Sequence, residues 1–102
     1  MSRFFQVATI HEIQPGQSKT IPVQGREILV LNDGGIFYAI KGVCPHRGVQ
    51  LNGGTVKEAI LTCPGHSWRF DLNTGDALDH PDVGVRCYRV ELRQDTIWVE
   101  VP

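Results

Sequence analysis

The chain has 102 residues, of which 41% are hydrophobic, and its ten basic and eleven acidic side chains give a formal net charge of -1. This length predicts a single domain, which buries roughly 60–70% of the surface that the unfolded chain exposes. The charges are balanced and form no run of one sign, so the composition gives no electrostatic reason to bind nucleic acid or an anionic membrane.

The sequence shows no pattern of a signal peptide or of a membrane span. Residues 1–6 interrupt their apolar content too early for a signal peptide, and no stretch approaches the roughly 18 apolar residues of a membrane span. We therefore expect a cytoplasmic protein. Three cysteines, an odd number, argue against a disulfide framework and favour metal ligands, catalytic thiols or core residues.

Many short alternating runs separated by turn residues predict an all-β sandwich or barrel. One brief helical turn is expected at 10–12, before Pro15-Gly16. In chain order, the predicted strands are 4–8, 19–23, 26–31, 35–41, 60–62, 67–71, 85–92 and 96–101.

Turn residues support this division of the chain. Asn32-Asp33-Gly34-Gly35 tolerates positive φ and predicts a hairpin between the third and fourth strands, and Asn73-Thr74-Gly75 predicts another turn. The segment from about residue 43 to residue 84 is richer in Gly, Pro, Cys and His than the flanking segments. They are interpreted as an insertion on a β base formed by 1–42 and 85–102, and we expect the function to lie in the insertion.

The insertion places a cysteine beside a proline twice, each time followed closely by a histidine. Cys44 and His46 are separated by one residue, and Cys63 and His66 by two. Thiolates and imidazoles bind metals, and two Cys with two His fit either one zinc ion or an iron-sulfur cluster with two His on one iron. Each of the two Cys-Pro segments carries one Cys and one His. This arrangement favours a two-iron centre, in which each segment gives its thiolate to one iron and its imidazole to the other. A single zinc ion does not need the ligands divided in this way.

These stretches resemble a known family. CPHRG at 44–48 and CPGHSWRFD at 63–71 are similar to the Rieske 2Fe-2S motif, and the likeness continues in GREILVLNDGGIFYAI at 25–40 and FDLNTGDAL at 70–78. The resemblance implies a Rieske-type antiparallel β sandwich or barrel that carries a small cluster-binding subdomain.

The resemblance also implies the ligands and the function. One Rieske-type 2Fe-2S cluster would have Cys44 and Cys63 on the inner iron and His46 and His66 on the outer iron. The protein would be a one-electron carrier and not an enzyme, passing electrons from an NAD(P)H-dependent flavoprotein reductase to a terminal oxygenase or hydroxylase. The chain has no second metal motif and no G-x-G-x-x-G, which agrees with a carrier role.

Two alternatives remain open. The stretch HPDVGVRCYRVEL at 80–92 also resembles the small subunit of assimilatory nitrite reductase, in which a Rieske-like domain accompanies a large flavin and sirohaem subunit. A zinc-stabilised binding module without a redox role would use the same four ligands.

Departures from the family pattern predict a low reduction potential. High-potential relatives place a Ser and a Tyr, which donate hydrogen bonds to sulfur, where this chain has Trp68 and Phe70, and Val49 and Gly65 stand where those relatives form a disulfide. Donors to sulfur stabilise the reduced cluster. We therefore expect a potential near the low end of the range of roughly -150 to +300 mV.

Four further expectations concern individual residues. Trp68 and Phe70 are expected to form a core-facing aromatic pair that also screens the site. Residues 79–82 are expected to form a third loop over the cluster. Cys87 is interpreted as a small core residue, and Trp98 as a residue that closes the core.

Overall fold

The computed structural model describes residues 2–45, 48, 50–65, 68–80 and 82–102. Within these ranges the chain is nearly all β, as predicted, and the expected helical turn is a 3-10 helix at Ile10–Glu12. The strands are β1 Arg3–Thr9, β2 Ser18–Val23, β3 Arg26–Asp33, β4 Ile36–Lys41, β5 Thr55–Lys57, β6 Ile60–Thr62, β7 Arg69–Asp71, β8 Cys87–Tyr88, β9 Val90–Arg93 and β10 Thr96–Val101. Sequence predictions for His46, Arg47, Val49, His66, Ser67 and Pro81 fall outside the described residues.

The described strands form three antiparallel sheets. A three-stranded sheet has the order β1-β10-β9, a four-stranded sheet has the order β2-β3-β4-β8, and a small sheet has the order β5-β6-β7. The small sheet lies within the predicted insertion. The division of the chain into a base and an insertion at 43 and 84 stays a prediction.

Strand β3 lies at the centre of the four-stranded sheet and is buried on both faces. Leu29 and Leu31 belong to one hydrophobic core, whereas Ile28 and Val30 belong to another, and all four side chains have no exposed surface. Because side chains alternate along a strand, β3 separates two cores. One core contains Ile97 of β10 and therefore joins the two larger sheets, and the other lies toward the insertion.

The predicted hairpin between β3 and β4 is confirmed. Asp33 pairs with Ile36, and the two residues between them, Gly34 and Gly35, have φ of 59° and 99°. A two-residue loop with positive φ at both positions matches the right-handed twist of paired strands, which explains the Gly-Gly sequence. Strand β4 then leads directly into the first cysteine loop.

The predicted strand at 85–92 is wrong as a single element. It breaks at Arg89: β8 pairs with β4 in one sheet, and β9 pairs with β10 in another. The backbone at Arg89 instead accepts a hydrogen bond from the N–H of Glu100 at 2.9 Å. The chain changes sheets here, and the local alternation of side chains does not reveal the change.

Two further strand predictions need correction. Strand β5 was not predicted, because it has only three residues and ends in the turn Glu58-Ala59, which contains neither Gly nor Asn. The strand predicted at 67–71 begins at Arg69 among the described residues.

Trp98 does not close the core. Its neighbours Ile97 and Val99 are fully buried, so the alternation of β10 directs the indole to the other face. There the ring centroid lies 4.1 Å from the guanidinium carbon of Arg93.

No helix among the described residues is long and apolar enough to cross a membrane.

Candidate metal centre

The first cysteine lies at the start of a tight turn that follows β4, which we call the first arm (residues 42–51). Val43 bridges antiparallel to Gln50, and the N–H of Leu51 donates to the carbonyl of Gly42 at 2.9 Å. Inside the turn, the N–H of Gly48 donates to the carbonyl of Cys44 at 2.9 Å, with φ of 68° at the glycine. These backbone bonds fix Cys44 at the point where the tip begins.

The second cysteine occupies the same position on a second hairpin, the second arm (residues 60–71). Strands β6 and β7 pair up to Thr62 opposite Arg69, and the N–H of Cys63 then donates to the carbonyl of Trp68 at 2.7 Å. This bond closes the hairpin, so that Cys63 begins its tip just as Cys44 begins the tip of the first arm.

The structure places the two predicted thiolate ligands in the same hydrophobic core. Cys44 is 0% exposed and Cys63 is 1% exposed, and both belong to the hydrophobic core that lies toward the insertion. Two buried thiols in one core fit a metal group held by sulfur on its inner side. His46 and His66 lie outside the described residues, so the full set of four ligands stays a prediction.

Gly54 sets how closely the two arms approach each other. A Cβ atom at this position would lie 2.5 Å from the carbonyl oxygen of Thr62 and 3.1 Å from that of Leu51. Thr62 belongs to the second arm and Leu51 to the first. Only a residue without a side chain fits between these two backbones, and the sequence pattern alone did not assign this role.

A third segment (residues 77–85) lies along the second arm. The N–H of Leu78 donates to the carbonyl of Arg69 at 2.8 Å, and the guanidinium of Arg69 donates to both carboxylate oxygens of Asp79, at 2.9 and 3.2 Å from Nη2. The imidazole of His80 stacks on the indole of Trp68. Asp79 and His80 of the expected loop at 79–82 are therefore held against the second arm, and the position of this loop over the cluster stays a prediction.

Arg69 and Asp79 form an ion pair that shifts the pKa of both side chains. Hydrogen bonds from the guanidinium lower the pKa of the Asp79 carboxyl, and its positive charge acts in the same direction. The same hydrogen bond raises the pKa of Arg69. Both side chains are about half exposed, so solvent screens their attraction.

The two aromatic side chains after the second tip differ in environment. Phe70 has no exposed surface and lies in the core that contains both cysteines. Trp68 is only half-buried and packs at the edge of this core, with its ring centroid 6.5 Å from that of Phe70. The predicted core-facing pair is thus confirmed: Phe70 lies inside the core and Trp68 packs against it, while the Trp68 ring also stacks on His80. Screening of the site by the pair stays a prediction.

Cys87 lies at the edge of the same core, close to its predicted place. Its Sγ atom donates to the carbonyl of Leu72 at 3.6 Å, and partial burial raises the pKa of the thiol. Nearby carboxylates, Asp71 and Asp76, act in the same direction. A raised thiol pKa is typical of a structural cysteine rather than a reactive one.

The described residues thus form an all-β domain with two matching hairpins, each of which begins its tip with a buried cysteine. The sequence of residues 3–89 matches the family model described as the Rieske 2Fe-2S domain. The chain belongs to this family and carries a Rieske-type 2Fe-2S cluster.

Two solved structures show the likeness along the whole fold. The ferredoxin of carbazole 1,9a-dioxygenase from Nocardioides aromaticivorans is 34% identical, with a TM-score of 0.85 over 94% of this chain and 95% of that one. A putative NADH-dependent nitrite reductase small subunit from Mycobacterium tuberculosis has a TM-score of 0.92 over 100% and 97% of the two chains, but is 21% identical and so shows the fold alone.

Curated relatives include both short and long proteins. The ferredoxin component of the naphthalene 1,2-dioxygenase system of Pseudomonas aeruginosa is 25% identical over 97% of this chain and 96% of its own length. Human apoptosis-inducing factor 3 (Homo sapiens) is 27% identical over 91% of this chain, which spans only 16% of that protein.

Proposed function

We propose that the protein is a low-potential one-electron carrier, which passes electrons from an NAD(P)H-dependent flavoprotein reductase to a terminal oxygenase or hydroxylase. Cys44, His46, Cys63 and His66 hold the cluster in this proposal, and residues 43–84 form the insertion that carries it on the base. The observation that carries the proposal is the burial of both cysteines in one core at two matching hairpin tips. The chain itself catalyses no reaction on a substrate.

The residues of the arms suit electron transfer. The cluster, when bound, supplies a one-electron couple. Cys44 and Cys63 offer buried thiolates, and Phe70 excludes water beneath them. The backbone bonds at the start of each tip hold Cys44 and Cys63 in place, so little at these two positions must rearrange when the charge at the site changes by one.

The oxygenase setting is favoured by the relatives with the greater identity. One solved complex contains reduced oxygenase and oxidized ferredoxin of carbazole 1,9a-dioxygenase, and its matching chain is 26% identical with a TM-score of 0.84 over 94% of this chain and 91% of its own. A role as the small subunit of nitrite reductase remains the second candidate, because that fold is at least as similar, with a TM-score of 0.92. The reductase is inferred from the family resemblance.

Single cysteine variants test the site. We expect the purified protein to hold about two iron atoms per chain and to show, after reduction, a rhombic paramagnetic resonance spectrum with a low average g. Cys44→Ser and Cys63→Ser should abolish both signals, whereas the matched control Cys87→Ser should retain them. A colourless wild-type protein with one zinc per chain would establish the zinc-stabilised module instead.

The setting is tested separately, by isolating the tagged protein from its own cells and identifying the proteins bound to it. Recovery of an oxygenase component together with a flavoprotein supports the oxygenase setting. Recovery of a large flavin and sirohaem subunit would replace it with the nitrite reductase setting.

A further inference from the structure

A cavity of about 420 Å³ opens beside the base of the first arm, and we call it the basic cavity. It gathers three of the ten basic side chains of a protein whose net charge is -1, against one carboxylate. Its polar and apolar walls are formed by Arg26, Glu27, Lys41, Val43, Arg86 and Tyr88.

Backbone hydrogen bonds hold the three cationic positions side by side. The N–H of Lys41 donates to the carbonyl of Arg86 at 2.9 Å, and the N–H of Gly42 donates to the carbonyl of Glu27 at 3.0 Å. Arg26 begins β3 directly before Glu27. Since the cations come from three separate segments, no run of like charge marks the cavity in the sequence.

The cationic groups are available to an anion. Among the ion pairs of the described residues, none uses Arg26, Lys41 or Arg86. The guanidinium carbon of Arg86 lies over the Tyr88 ring, 5.4 Å from its centroid, and a guanidinium in such a cation–π contact can still donate hydrogen bonds to an anion. The carboxylate of Glu27 accepts a hydrogen bond from Gln50 Nε2 at 3.1 Å and so has a partner within the first arm.

We propose that the basic cavity is the docking site for an acidic segment of the electron-transfer partner. The proposal rests on the carrier function above. Two arginines and a lysine match carboxylates of Asp and Glu, because a guanidinium binds a carboxylate with two parallel hydrogen bonds. The cavity volume falls within the range of roughly 300–1,000 Å³ that is usual for binding pockets, so it holds a few side chains of such a segment.

The cavity lies next to the arm that carries Cys44, so a partner docked there is close to the proposed cluster site. Val43 in its wall directly precedes Cys44 in the chain. A partner anchored here lies beside the arm that holds the cluster, and its charge steers the encounter toward that arm. The basic cavity thus sets both the orientation and the rate of complex formation.

A fluorescent hexaglutamate peptide is the probe, with the iron-loaded protein as the receptor. Lys41→Gln combined with Arg86→Gln removes two charges inside the cavity. The matched control combines Arg3→Gln with Lys57→Gln, which removes two charges from exposed strand positions elsewhere. We expect the cavity variant to weaken peptide binding by at least about tenfold, or about 1.4 kcal/mol, and the control by much less. Raising the ionic strength from about 0.01 to 1 M should abolish binding to the wild type.

Any of the following outcomes overturns the proposal: no peptide binding at low salt, equal weakening in both double variants, or binding of inorganic phosphate without the peptide. Amide chemical-shift changes at 25–27, 41–43 and 86–88 should accompany binding, and changes elsewhere alone would also contradict it. Voltammetry of each variant distinguishes failure of the docking site from failure of the proposed carrier function. A normal one-electron couple with no peptide binding refutes only the docking site, whereas the absence of any couple refutes the carrier function.

Discussion

The indole ring of Trp68 stacks on the imidazole ring of His80, with ring centroids 3.5 Å apart and planes 15° from parallel. This contact joins the third segment to the second arm just beyond the tip that begins with Cys63. The ion pair of Arg69 with Asp79 joins the residue after Trp68 to the residue before His80. The third segment is therefore fixed by two different kinds of contact at adjacent positions.

His80→Ala tests the stack. Loss of the stack should reduce stability by about 1 kcal/mol and let the third segment separate from the second arm. We expect iron to pass to an external chelator faster than from the wild type, measured as bleaching of the visible absorption. His11→Ala is the matched control, because His11 is exposed on the 3-10 helix at the start of the chain. Equal rates in wild type and His80→Ala would contradict the stabilising role.

Asp79→Asn tests the ion pair through its pH dependence. The folded-state pKa of Asp79 is lowered, so its contribution to stability is complete above the unfolded pKa and is lost as the pH falls through the folded pKa. We expect Asp79→Asn to release iron faster than the wild type at neutral pH. The two rates should converge in acid, once the wild-type carboxyl is protonated. A rate ratio that does not change with pH would argue against the pair.

Gly54→Ala should separate the arms. The added Cβ meets backbone oxygen on one side and the side chain of Leu61 at 2.9 Å on another, so neither arm yields by a simple rotamer change. Such overpacking costs about 1–3 kcal/mol, and we expect less iron per chain and a lower unfolding temperature.

Gly53→Ala is the control for this prediction. Its Cβ would meet nothing within 4 Å, but its φ of 87° makes an alanine strained by about 1–2 kcal/mol. It should lower the unfolding temperature and keep the iron. If both variants keep full iron content, Gly54 does not set the spacing of the arms.

Alternation and turn residues were sufficient to predict most of the fold. The strands at 60–62 and 96–101 were predicted with their observed bounds, and the Gly34-Gly35 hairpin follows from the conformation that only glycine adopts at low cost. These features depend on local chain chemistry, which a single sequence records.

The features that were not predicted depend on contacts between distant segments. The break at Arg89 arises because its two neighbours pair with strands of different sheets. The turn after β5 was missed because Glu58 and Ala59 adopt φ of 54° and 62° without glycine. At the site, the cysteine positions follow from the motif, whereas the spacing set by Gly54 follows only from tertiary contact.

Phe70→Tyr tests why a low potential is expected. The ring lies in the same core as both cysteines, and high-potential relatives place a Tyr that donates to sulfur at this position, so we expect the added hydroxyl to find a sulfur acceptor. A hydrogen bond to thiolate stabilises the more negative reduced state. A difference of about 1 kcal/mol between the two states corresponds to a rise of about 40 mV for a one-electron couple. Protein-film voltammetry measures it.

Phe37→Tyr is the control for the potential, because Phe37 packs against the other core. Its potential should equal that of the wild type. An unchanged potential in Phe70→Tyr would mean that its hydroxyl finds no sulfur acceptor, and a wild-type potential well above zero would contradict the low-potential prediction itself.

Asp33, at the end of β3, anchors the turn between β5 and β6 to the four-stranded sheet. Its Oδ2 accepts a hydrogen bond from the N–H of Ala59 at 2.6 Å, and the carbonyl of Ala59 accepts one from Leu72 at 2.8 Å. Glu58 and Ala59 both have left-handed backbone conformations, which cost about 1–2 kcal/mol per residue without glycine. These contacts therefore maintain a turn that its own sequence disfavours.

Asp33→Ala should lower the free energy of unfolding by about 1 kcal/mol, because the turn loses its acceptor. Asp33→Asn keeps an oxygen at the same place and should lose less. Ala59→Gly relieves the backbone strain, so it should stabilise the wild type and partly restore Asp33→Ala. Thermal unfolding of the iron-loaded variants gives this order. If Ala59→Gly fails to offset Asp33→Ala, the aspartate stabilises the arm by some contact other than the one that holds this turn.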